Sequence, residues 1–188
     1  MPTLMGSYKV PHFDAKAEGD AYFEGLPVTY LRTTFYWEEF IYFGLGPKPS
    51  EDGMLALTLP LDDKRMPGIA SEDIGKCAFG IFQRRTEMVG QNFGIAGGHL
   101  SGYEMAEGLM MALGKAVRYD SVSADEYRKF GFPAAEPLGN MFQFMRDFDN
   151  SYREPRRVEL SRSLNPELLT FEEWLMANAG AIRQATFA

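Results

Sequence analysis

Blocks of apolar and polar residues follow one another along this chain, and the period of each block predicts an element. Residues 13–24 read as a helix ending at Gly25. After Leu26-Pro27, the run from Val28 to Thr33 is mostly apolar, β-branched or aromatic, the pattern of a strand covered on both faces. Gly44 to Gly53 is a Gly/Pro-rich loop. Met54 to Leu59 alternates Leu55, Leu57 and Leu59 with smaller residues, which predicts a half-buried strand. Ser71-Glu72-Asp73 opens a helix, with Ser71 as its expected cap. Its apolar stripe is Ile74, Cys77, Ala78, Ile81 and Phe82, and Arg84-Arg85 suit its last turn. Asn92 to Ala96 is a short strand, turned by Gly97-Gly98.

Three capping-box patterns then mark helix starts: Ser101 with Glu104, Ser123 with Glu126, and Thr170 with Glu173. The first opens a stripe of Ala106, Leu109, Met110 and Leu113 that stops at Gly114. The second opens a short helix ending near Gly131. The third precedes a helix carrying Trp174 and Leu175. Val117 to Ser121 is a strand, and Met141, Phe144, Met145 and Phe148 recur at helical spacing. Strands and helices alternate through residue 130, which argues an α/β chain with a helical last third.

Composition narrows the function classes. A chain of 188 residues is expected to form one domain, and its 45% hydrophobic content supplies a core and argues against disorder. A net charge of −7 leaves no strong basic face for nucleic acid. The best basic run, Arg153, Arg156 and Arg157, is diluted by Glu154 and Glu159 and reads as a solvated loop. The single cysteine, Cys77, allows no disulfide framework or thiolate metal cluster, and its place on an apolar stripe predicts a small buried residue. Two distant histidines, His12 and His99, make a poor metal site. With no leader and no apolar run near 18 residues, the expectation is a cytoplasmic protein without a membrane partner.

Two segments carry candidate chemistry. His12 and Lys16 are four apart, so a helix puts them on one face with Cβ atoms roughly 5–6 Å apart. Lys16 can donate to a ribose hydroxyl, or assist proton transfer if its pKa is lowered. Thr33-Thr-Phe-Tyr-Trp-Glu-Glu39 follows a buried strand, where open α/β sheets bind ligands beyond the carboxyl end. There Tyr36 and Trp37 can wall an aromatic ring while Glu38 and Glu39 accept hydrogen bonds; the same run also suits a helix start with core aromatics. No Gly-x-Ser-x-Gly elbow supports a hydrolase. The Gly-rich run from Gly94 to Gly98 lacks both the Walker lysine and the dinucleotide-fold spacing.

These segments, taken in order, resemble the NmrA-like family of atypical short-chain dehydrogenase/reductases, and within it the C-terminal part of the vertebrate redox-sensor members. The resemblance rests on His12-Phe-Asp-Ala-Lys16-Ala-Glu18, Tyr22-Phe23, Leu26-Pro-Val-Thr-Tyr-Leu-Arg32, Met66-Pro-Gly-Ile-Ala-Ser-Glu-Asp73-Ile-Gly75 and Val89-Gly-Gln-Asn-Phe-Gly94. It continues through Asp125 to Pro133, Leu138-Gly-Asn-Met-Phe142 and Leu164-Asn-Pro-Glu-Leu-Leu-Thr170.

The resemblance implies a Rossmann-like fold with a smaller α/β lobe. On that basis residues 1–43 are the last Rossmann helix and strand, and 44–188 the lobe. It implies an NADP or NAD cofactor, with Lys16 on the nicotinamide ribose and Tyr36, Trp37, Glu38 and Glu39 along the cofactor. His12 stands where ordinary reductases carry a catalytic tyrosine, as in the sensor branch. Glu39 replaces a usual Asn, and the nucleotide-binding N-terminal half of the family's fold is expected to be absent. The functional expectation is a non-catalytic regulatory or protein-interaction module of NADP-sensing ancestry, binding the cofactor weakly by itself. The alternative is an NADP-dependent reductase using Lys16. An exposed edge on the 28–33 strand predicts a homo-oligomer or a protein partner.

Overall fold

The computed structural model describes residues 9–187, along which helices and short strands alternate before a helical final third. Helix α1 (Pro11–Asp20) runs into a 3₁₀ turn and is followed by β1 (Tyr30–Arg32), β2 (Phe35–Tyr36) and the single turn α2 (Glu39–Tyr42). Strands β3 (Lys48–Pro49), β4 (Leu55–Leu59) and β5 (Arg65–Ile69) lead to α3 (Ser71–Gln83). Next come β6 (Asn92–Gly94), β7 (Gly98–Ser101), α4 (Gly102–Leu113), β8 (Val117–Ser121) and α5 (Ala124–Tyr127). Helices α6 (Ala135–Asp147), α7 (Asp149–Arg153), α8 (Val158–Leu164) and α9 (Phe171–Phe187) follow.

The strands form three small sheets. β1 pairs in parallel with β6, and β4 joins antiparallel β3 to parallel β8. β5 lies between parallel β2 and antiparallel β7. The alternation in β4 is observed: Leu55, Leu57 and Leu59 are buried while Ala56 and Thr58 are half-exposed. Sequence pattern missed β5 because Pro67 and Gly68 argue against a strand. Here Thr34 Oγ1 donates to the Pro67 carbonyl, and Gly68 is where the Trp37 indole crosses the sheet. A Cβ at Gly68 would overlap that indole, so the glycine is a packing requirement.

All three capping boxes form, each with reciprocal side-chain and backbone bonds. Gly114 ends α4 in the left-handed conformation, φ 64°. Ser71 does not cap α3. The N-cap is Ala70, and the Ser71 N–H donates instead to Glu38 Oε2 at 2.9 Å. A carboxylate from a distant segment thus satisfies the free end of α3 and complements its dipole.

Two apolar clusters hold the chain together. The larger joins Phe35, Trp37 and Phe40 to β4, α4, α6 and α9. The smaller packs Ile69, Cys77, Ile81 and Ile95 against Leu164 and Leu168. Burial pushes the Cys77 thiol up to about 11, with Asp73 adding, so it is a core residue rather than a nucleophile. No helix among the described residues is long and apolar enough to cross a membrane.

Candidate functional site

Alongside β1 and past its carboxyl end lies a cleft of about 460 Å³, walled by α1, β1, the β1–β2 segment and the end of α7. α1 is oriented by Phe13, whose ring meets Phe144 at 6.2 Å and stacks on Tyr152 at 6.3 Å. One turn on, Lys16 stands exposed at the rim. The far end of α1 is tied to β1 by an Arg32–Asp20 ion pair of 2.8 Å and by the Tyr30 hydroxyl, which donates to the Asp20 carbonyl.

β2 supplies the opposite wall through strand alternation. Phe35 points into the core, so Tyr36 faces the cleft, its hydroxyl 3.0 Å from Thr33 Oγ1. The inner end is formed by Tyr152 and Arg156. Arg156 is only 6% exposed. Its Nε donates to the Thr33 carbonyl, its Nη1 to the Tyr152 carbonyl, and its guanidinium lies 3.8 Å from the centre of the Tyr152 ring.

The cleft therefore inverts the charge of the molecule. Within a chain of net charge −7, its charged lining residues are three cations, Lys16, Arg32 and Arg156, against one carboxylate, Asp20. Arg156 was expected in a solvated loop. Its burial depends on carbonyls and a ring presented by the fold, and the flanking Arg153 and Arg157 behave as surface residues, Arg153 pairing with Asp149.

Of the six candidate residues, the structure brings Lys16 and Tyr36 into the cleft and leaves four outside its lining. The His12 ring lies on Phe13 with Nε2 3.3 Å from Met141 Sδ. The residue as a whole is exposed, but local desolvation of the ring, and then Lys16, hold its pKa below the ordinary imidazole value against the pull of Asp14. Trp37 is 1% exposed and packs on Phe171 and Trp174. Glu38 caps α3 and also accepts from Trp174 Nε1 at 3.0 Å. Trp37 and Glu38 thus serve the core, as the helix-start reading of this run allowed.

Glu39 is half-buried at the start of α2, and its carboxyl is pushed up from 4.5 to about 7. Burial is the main cause; the Glu38 charge adds and the Tyr36 backbone N–H opposes. Between these two values the folded chain holds a proton that the unfolded chain has lost, so this group's effect on stability worsens as pH rises through that window. Glu39→Gln removes the effect. In urea unfolding, the gain from the substitution should be larger at about pH 8 than at about pH 5, by on the order of 2 kcal/mol after allowing for partial exposure. An equal effect at both values would contradict the assignment.

The Gly94–Gly98 run holds no phosphate-like cradle. A Cβ at Gly94 would lie 2.6 Å from the Pro155 carbonyl oxygen and 2.8 Å from Arg156 Cγ, and one at Gly97 would crowd Trp37. These glycines admit close packing. No group of three or more His, Cys, Asp or Glu among the described residues is placed to hold a metal ion.

Comparison with known proteins agrees with this architecture. The model of the NmrA-like family matches residues 4–175. Among solved structures, NmrA, described as a negative transcriptional regulator and solved in complex with NADP, aligns at TM-score 0.67 and 19% identity, over 91% of this chain and 58% of its own. The triphenylmethane reductase of Citrobacter sp., complexed with NADP(H), aligns at TM-score 0.66 and 18% identity, over 93% of this chain and 58% of its own. An NADPH-dependent quinone oxidoreductase of Escherichia coli aligns at TM-score 0.63 and 15% identity, over 91% of this chain and 62% of its own. The chain thus spans about three fifths of the length of these structures.

Proposed function

The chain belongs to the NmrA-like family, and on that premise we propose that it is a regulatory module that reads the nicotinamide end of NAD(P), NADP in the first instance, without turning it over. The observation that carries the reading is the cleft itself. Lys16 and Tyr36 offer an ammonium and a hydroxyl where a ribose can be held, at the carboxyl end of a parallel strand. His12, which by resemblance replaces the tyrosine acid of ordinary reductases, turns its ring onto Met141. Titration calorimetry with NADP and NADPH should give weak, saturable binding that Lys16→Ala lowers by about tenfold, as expected for one charged hydrogen bond. Affinity at or below micromolar overturns the weak-binding reading. An unchanged affinity in Lys16→Ala overturns the site.

A reductase is the second reading, favoured by the shared placement of Lys16 and Tyr36 and by reductases among the structural relatives. Sustained NADPH oxidation with a quinone acceptor, abolished by Lys16→Ala, would establish it in place of the first.

A protein partner or second copy is part of the proposal. Among the described residues β1 pairs only with β6, and an apolar groove of Val28, Leu31, Ala78, Phe82 and Val89 runs beside it. A strictly monomeric mass by analytical ultracentrifugation counts against the second-copy form.

A further inference from the structure

We infer that the inner end of the cleft is a carboxylate site, with Arg156 as the ion-pair partner of a small ligand that has an apolar or aromatic body. The inference rests on reading this cleft as the ligand site and not on the ligand being a nicotinamide.

Three observations carry it. First, Arg156 is buried, yet among the described residues it has no carboxylate partner, and two backbone carbonyls account for its bonds. A guanidinium has five N–H donors, so donors remain for a ligand. An unpaired buried charge is costly, and a fixed one is best explained where an incoming anion completes it. Burial, with Arg32 adding, lowers the Arg156 pKa against the opposing influence of Tyr152.

Second, the guanidinium is held in place. Its stem rests against the bare backbone of Gly94, its plane lies over Tyr152, and its own carbonyl accepts from His99 Nε2 at 2.7 Å. A group fixed in this way loses little freedom on binding. Third, the remaining wall joins aromatic surface from Phe13, Phe23, Tyr30 and Tyr36 to the Lys16 ammonium, and Arg32 is already engaged by Asp20. Such a wall suits a planar apolar body carrying one negative group better than a strongly hydrated polyanion.

The probes are benzoate and its neutral counterpart benzamide, titrated into the full chain by calorimetry and by NMR shift mapping. Benzoate should bind at least about tenfold tighter than benzamide, the value of one charged contact. Arg156→Gln should erase that preference. Because Arg156→Gln also removes bonds that hold the fold, wild-type protein supplies a second measure: benzoate should bind with a lower dissociation constant than inorganic pyrophosphate. Equal affinity for benzoate and benzamide, no saturable benzoate binding at millimolar concentration, or tighter capture of pyrophosphate each overturns the assignment. Failure of the NADP titration with a preserved benzoate preference removes only the nicotinamide reading; success of the first without the second removes only this one.

Discussion

Trp37→Ala is expected to lower folding stability by about 3–5 kcal/mol, a large part of what a domain this size possesses. The indole is almost fully enclosed, packs at 5.3 Å from Phe171 and 5.9 Å from Trp174, and crosses Gly68 and Gly97, whose missing side chains make room for it. Removing it leaves a void bounded by α9, β5 and the β6–β7 turn that cannot close without moving the strand bearing Tyr36. Urea unfolding followed by the remaining Trp174 measures the loss. The expected signature is a sharply lower midpoint. A variant of near wild-type stability with altered ligand affinity would instead make Trp37 a wall of the site and contradict its placement.

Asp73→Ala is the second large effect, expected at about 3 kcal/mol. Asp73 is wholly buried, and its two oxygens accept from Asn165 Nδ2 at 2.8 Å and the Leu169 N–H at 3.0 Å. Alanine leaves both donors without a partner, and each buried unsatisfied group costs about 1–3 kcal/mol. Asp73→Asn keeps one accepting oxygen and should recover roughly half of the loss. Chemical denaturation of the pair measures this. Equal loss in both variants would mean that an amide cannot stand in for either accepting oxygen, one of which also lies 3.8 Å from Lys76 Nζ on α3.

How much of this was readable before the structure depends on the range of each interaction. The boxes at Ser101, Ser123 and Thr170 close within four residues, so their pattern is their mechanism. The leucines of β4 and the stripe of α6 report their faces locally in the same way. β2 and β5 were invisible because two residues, or five containing Pro67-Gly68, become strands only through partners elsewhere. Residue type suggested a capping Ser71, but the acceptor that serves α3 comes from Glu38, 33 positions away.

The lining of the cleft was legible to the same degree. Lys16 and Tyr36 line it because a helix face and a strand end, both local features, place them there. The burial of Arg156 is not local, because its setting is made by Thr33, 123 positions earlier, and by a ring four positions back. His12 lies four residues from Lys16, as the helix spacing requires, but Met141 decides where its ring goes. The chain matches the family over residues 4–175, and its helices and strands alternate as an α/β chain. The regulatory reading rests on the geometry of the cleft.

Tyr36 sits between Phe35 and Trp37, both inside the main core, and two residues from the Glu38 carboxylate that joins α3 to α9. Its hydroxyl cannot travel without dragging the centre of the molecule along. The opposite bank is held by an Asp20–Arg32 pair of about 0–1 kcal/mol, by the Tyr30 hydroxyl on the Asp20 carbonyl, and by Phe13 against Phe144 and Tyr152. Of the cleft's two banks, the one bearing Tyr36 is thus built into the core, whereas α1, which buries none of its residues completely, is joined to it from outside.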